Sequence, residues 1–159
     1  MLVLLASATP LGLAVQHDMR LVSPVALAYL GDAVYELHVR QALLHPPRKH
    51  NDYCLEVRDL ACAHGQHSAL ERLVAGSETF ALSEVELDWI RRGRNASGRG
   101  PRTASPQVYR AASSLETLLG YLHLADSARC AEVMDFLLSS RHGAGNVESE
   151  GVSQPDDDR

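Results

Sequence analysis

LAYLGDAVYELHVR, residues 27–40, has the apolar spacing of a helix, and the residues around it say where that helix begins and ends. Ser23 ahead of Pro24 supplies an N-cap hydroxyl with proline at the first helical position. His45-Pro46-Pro47 is a stop, so a helix of about fourteen to twenty residues is expected between the two signals. Leu27, Leu30, Val34, Leu37 and Leu44 share one stripe, and Val25, Ala28, Val39 and Leu43 occupy the opposite side. A helix apolar nearly all round belongs at the centre of a fold. Asp32 and Glu36 sit inside it, four apart and therefore on one face, and they are the only acids from Met19 to Asn51.

Helical signals continue along the chain. Asn51 is a cap for a stretch through Tyr53, Leu55, Val57, Leu60, Leu70 and Leu73, with Gly65 as the expected break and Gly76 as its end. Ser83 and Glu86 form a capping box for a short helix through Leu87, Trp89 and Ile90, which runs into an expected loop from Arg91 to Arg102. Ser105-Pro106 repeats the cap signature and opens a helix through Val108, Ala111, Leu115, Leu118, Leu119 and Leu122. Asp126 or Ser127 caps a last one through Val133, Phe136 and Leu137. No alternation typical of strands appears, aromatic residues are 5% of the chain, and the class is all-α.

The 159 residues hold one domain of ordinary size, and 45% hydrophobic against 22% charged residues describe a globular protein. We divide the chain into an N-terminal extension (1–22), a domain (23–141) and an acidic, disordered tail (142–159). Met1 to Val15 is apolar, lacks a basic leader and is too short to span a bilayer. A loosely packed extension, an over-extended start ahead of Met19 and a targeting segment all fit it. Three cysteines, Cys54, Cys62 and Cys130, form an odd set without a close pair, which suits a reducing cytoplasm. Cys62, His64 and His67 lie within two turns with no distant fourth ligand, and read as a helical face rather than a zinc site.

The net charge of -5 is unevenly distributed. Between Trp89 and Leu115 stand Arg91, Arg92, Arg94, Arg99, Arg102 and Arg110 with no acid among them, while five acids fall in the tail. A polyanion feels such clustering within about 8 Å, so nucleic acid is not excluded. Immediately after this basic segment comes Glu116, the only acid from Trp89 to Ala125, inside an apolar helix. A lone buried carboxylate costs several kcal/mol unless it is paired or bound to a cation. Two solutions stay open: Asp32 or Glu36 pairs with Arg40 or another arginine, or Asp32 and Glu116 meet across a helix interface and hold Mg²⁺. An ion so held activates water and stabilises charge developing on a phosphodiester, and the neighbouring arginines favour that solution.

With the downstream RRGRNA at 91–96 and YRAASSLETLLGYLHL at 109–124, the 27–40 segment resembles the ribonuclease III family. It is most similar to the Mini-ribonuclease III branch, which has the helical endonuclease domain without a double-stranded-RNA-binding domain. The resemblance covers roughly 23–138. It implies that Asp32 and Glu116 are catalytic and metal-binding, with Mg²⁺ as cofactor, and that Glu36 and Ser113 stand in an outer shell. The implied reaction is hydrolysis of both strands of duplex RNA, leaving 5′-phosphate and 3′-hydroxyl ends, by a cytoplasmic homodimer that matures large-subunit ribosomal RNA precursors, with a ribosomal protein as helper and no membrane attachment. Full-length members carry acids where this chain has Val25, Ala28 and Ser113, so the metal site is reduced. Arg91, Arg92, Arg94, Asn95 and Arg102 are the candidates to hold RNA phosphates. Glu36 equally suits a pair with Arg40, and a non-catalytic RNA-binding module on the same fold is the alternative.

Overall fold

Serine caps start three helices where the sequence signals them. Ser23 Oγ accepts from the Ala26 amide (3.1 Å), Ser105 Oγ from Val108 (3.3 Å), and Ser83 exchanges bonds with Glu86 in a capping box. The computed structural model describes residues 18, 19, 21–98, 100 and 104–139, so the expectations for 1–17, for Arg102 and for the tail 142–159 lie outside it. The described residues form six helices: α1 (Pro24–Ala42), α2 (His50–Ala61), α3 (Ala63–Ala75), α4 (Glu84–Ala96), α5 (Pro106–Ala125) and α6 (Ser127–Ser139). Apart from one antiparallel pairing of Ser77 with Phe80 they contain no β-structure, and the all-α expectation holds.

The centre of the fold is α5, where α1 was expected. Ala111 to Leu115, Thr117 to Gly120 and Leu122 are buried, and α1, α3, α4 and α6 pack round this helix. Only one side of α1 is covered: Leu27, Val34, Tyr35 and Val39 face the core, while Val25, Tyr29 and Leu37 are exposed. The apolar pattern of α1 is real, but one of its faces has no cover among the described residues.

Two glycines set the contact between α1 and α5. A Cβ on Gly31 would lie 1.8 Å from the Glu116 carbonyl oxygen, and one on Gly120 would lie 2.1 Å from that of Leu27. The two backbones therefore touch directly, and Gly31 brings its neighbour Asp32 to the level of Glu116. A third glycine does the same for α4: a Cβ on Gly93 would fall 2.5 Å from the Thr117 hydroxyl. That fully buried hydroxyl donates to the Ser113 carbonyl (2.7 Å) and lies 3.2 Å from the Pro24 carbonyl, so α1, α4 and α5 converge on it.

Other boundaries differ from expectation. The second helical stretch breaks at Cys62, whose backbone is extended, and not at Gly65. Gly65 lies within α3, where the absence of a side chain lets the first turn press against the carbonyls of Asp59 and Leu60. The N-cap position of α2 is Lys49, with no side-chain bond, and Asn51 is already helical. Gly76 does end α3, with φ of 65°. Asp126 caps α6 by accepting from the Arg129 amide (3.0 Å). The expected loop from Arg91 is helical through Ala96, because arginine is a good helix former and Asp88 pairs with Arg91 and Arg92 one turn on.

A half-buried ion pair ties α4 to α6. Arg129 Nε donates to Glu86 Oε1 (2.7 Å) and its Nη2 to the Ala81 carbonyl (2.7 Å), with the guanidinium over the Phe80 ring. Burial alone would raise the Glu86 pKa, but the bonds from Arg129 and Ser83 prevail and lower it. The glycine contact makes the sharper test. Gly31→Ala and Gly120→Ala should each cost about 3 kcal/mol in urea unfolding, whereas Gly98→Ala, with nothing within 4 Å of the new methyl, should change stability little.

Candidate active site

Asp32, on the third turn of α1, and Glu116, midway along α5, open into one cavity of about 200 Å³. Its walls come from α1, from the end of α4 with the residues after it, and from α5. Val25, Ala28 and Ser113, where the family resemblance implies further acids in full-length members, line the same cavity. The reduced acid set thus leaves open space beside the two carboxylates.

The two carboxylates are strained electrostatically. Burial raises the Asp32 pKa, with a smaller push from the Glu36 charge. Burial and then the Asp32 charge push Glu116 up to about 7. Gln66 opposes both shifts: its Nε2 donates to Asp32 Oδ1 at 3.1 Å, and the same amide lowers the Glu116 pKa. No salt bridge joins either carboxylate to a base among the described residues, and Arg40, an arginine available for the ion-pair solution, engages Glu36 instead. Two hard, anionic oxygen donors beside open space suit a divalent cation such as Mg²⁺.

The remaining candidates divide into groups. Glu36 is bound to Arg40 and lines a separate groove with Tyr53, Cys54 and Cys62. Ser113 is buried in the cavity wall, with its carbonyl taken by Thr117. Arg91 and Arg92 are held by Asp88, and Arg92 also lies over the Trp89 ring. Asp88 stands just outside the acid-free window, so the local positive charge is smaller than that window suggests. Arg94 and Asn95 are exposed, and Arg94 shares a hollow with Ser105, Pro106, Gln107 and Arg110. Neither Arg94 nor Arg110 has an acidic partner among the described residues. This hollow and the carboxylate cavity border the same two segments, the end of α4 and the first half of α5.

Tyr29 is 87% exposed at the cavity rim, while Tyr35 on the same helix is buried. Gln66 was not singled out from the sequence. One amide in a helical stretch carries no signal there, and only the fold brings it under both acids.

The raised acid pKa has a consequence for stability. An ordinary glutamate titrates near 4.5 and Glu116 near 7, so the folded metal-free state holds this proton more tightly than the unfolded chain. That contribution is complete below the unfolded value and is lost as pH rises through about 7. Stability of the metal-free protein should therefore fall between about pH 5 and pH 8, by as much as about 3 kcal/mol, and Glu116→Gln should flatten the slope. Urea unfolding across that range reads both, and a wild-type stability that rises instead would contradict the assignment.

Comparison with known proteins places the chain in a family. Residues 25–127 match the Ribonuclease III domain family. The chain is 48% identical over 112 residues to a Mini-ribonuclease 3 of Synechocystis sp., covering 70% of this chain and 75% of that one. It is 42% identical over 133 residues to the Mini-ribonuclease 3 of Gloeobacter violaceus, covering 80% and 91%. In fold it is similar to a crystal structure of a Fusobacterium nucleatum protein, with a TM-score of 0.68 over 79% of this chain and 99% of that one, at 22% identity. The chain belongs to the ribonuclease III family of RNA-cleaving hydrolases, in its Mini-ribonuclease 3 branch.

Proposed function

We propose that this endoribonuclease is Mg²⁺-dependent and cleaves both strands of duplex RNA, in the maturation of large-subunit ribosomal RNA precursors. The observation that carries the reading is the Asp32 and Glu116 pair, which lines one cavity and has no salt-bridge partner among the described residues. Mg²⁺ bound there supplies an activated water and a counter-charge for the phosphodiester under attack. Asp32 and Glu116 hold it as anionic oxygen donors, and its charge in turn keeps Glu116 ionised at neutral pH. Arg94 and Arg110 hold phosphates of the duplex in the adjoining hollow, with Asn95 and Arg102 near them in sequence. Arg91 and Arg92, already engaged by Asp88, contribute less. No histidine stands among the residues lining the cavity, and the leaving 3′-oxygen takes its proton from water.

With so small a basic surface, binding is weak and falls steeply with salt, so a helper such as a ribosomal protein supplies selectivity. No described helix is long and apolar enough to cross a membrane, in keeping with action on RNA in the cytoplasm. The enzyme works as a homodimer. Support comes from α1, where Val25, Tyr29, Ala33 and Leu37 repeat every four residues along an exposed stripe.

Two outcomes test the reading. At low salt with Mg²⁺, the wild type should cut both strands of an end-labelled RNA duplex, and Asp32→Asn, Glu116→Gln or EDTA should each reduce cleavage by at least about a thousandfold while the fold persists. Binding without cleavage by the wild type would make the protein a binding module. Leu37→Glu places a charge on the α1 stripe, and sedimentation should show a dimeric wild type and a monomeric variant. An unchanged mass would remove α1 from the seam.

A further inference from the structure

Gln66 is among the few polar side chains buried in the described structure, with 2% of its surface exposed. It reaches the site from α3, a helix that lines no part of the carboxylate cavity. Its placement follows from the break at Cys62 and from Gly65, which together press the first turn of α3 onto the end of α2 and direct the next side chain inward. There the amide Nε2 donates to Asp32 Oδ1 at 3.1 Å, and the same side chain is near enough to Glu116 to lower the pKa of that acid. A carboxamide has two N–H donors on one nitrogen, enough for one bond to each acid. An arginine or lysine in its place would neutralise the pair and compete with an incoming cation. The amide steadies both acids and leaves their charge intact.

We propose that Gln66 is a positioning residue that holds the Asp32 and Glu116 carboxylates together in a ready-made arrangement for a divalent cation. The proposal rests on the metal-binding reading given above. Without the amide, the two acids lose their shared donor, turn away from each other, and must be reassembled by the ion itself. The cost appears as weaker metal binding, of the size seen when partners that orient metal ligands are removed, about 10- to 100-fold.

The test is Mn²⁺ binding, read from the loss of the free-ion signal in electron paramagnetic resonance, on the full chain at neutral pH without RNA. Gln66→Met keeps the length of the side chain and removes the donors; Gln66→Asn keeps the amide and withdraws it by one carbon. Wild type should bind, Asp32→Asn should not, Gln66→Met should bind at least about tenfold more weakly, and Gln66→Asn should fall between. Cleavage by Gln66→Met should need correspondingly more Mg²⁺ and approach the wild-type rate at saturation, a split that a merely structural glutamine would not produce. If folded Gln66→Met binds within twofold of wild type, the proposal is wrong while the metal site stands. If Gln66→Met does not fold by circular dichroism, the same criterion applied to Gln66→Asn decides. If wild type fails to bind Mn²⁺, or Asp32→Asn binds as well as wild type, the metal reading and the proposal fall together.

Discussion

The backbone contact between α1 and α5 is the constraint on which the rest depends. At Gly31 and Gly120 the helices approach more closely than any side chain permits, and each glycine faces a carbonyl of the other helix. Close approach of this kind fixes position along both axes as well as distance, because a slide of one residue would set a Cβ against a carbonyl oxygen. Asp32 follows Gly31 directly, and the carbonyl that Gly31 faces belongs to Glu116. Packing and chemistry are thus set by the same few atoms. Thr117, next to Glu116, brings α4 to the same place, and so the basic end of that helix borders the carboxylates.

Much of this was legible in the sequence because its signals are local. Ser23-Pro24, Ser105-Pro106 and the Ser83 to Glu86 box act within one turn, and the helices begin there. Glu116 stood out as a lone acid in an apolar helix and Asp32 as one of two, and the fold brings them to one cavity. What escaped depends on tertiary neighbours. Gly65 has the composition of a break and serves as a contact; Cys62 has no breaking signal and interrupts the helix. Periodicity showed that α1 is apolar on two sides, but it does not say whether the cover is the same chain or another. Gln66 carries no pattern of its own, and its role exists only once α3 lies under α1 and α5.

Charge had to be located in space as well as in sequence. A run of arginines without acids looks uniformly basic, yet Arg91 and Arg92 fold back on Asp88 from the preceding turn. Arg94 and Arg110, sixteen positions apart and on different helices, end in one hollow. The field an RNA backbone would meet is therefore narrower and better aimed than the composition implies.

The Glu86 and Arg129 pair has a mechanical meaning. It clamps the capped end of α4 to α6 and to the Ala81 carbonyl, while Arg94 rides near the other end. Eight residues of helix make a rigid arm of about 12 Å. The close approach of Gly93 to Thr117 pins the far end of this arm against α5, so α4 is held at both ends and Arg94 keeps its direction. The ion pair thus sets the angle at which α4 leaves its cap, and the glycine contact sets where the basic hollow begins.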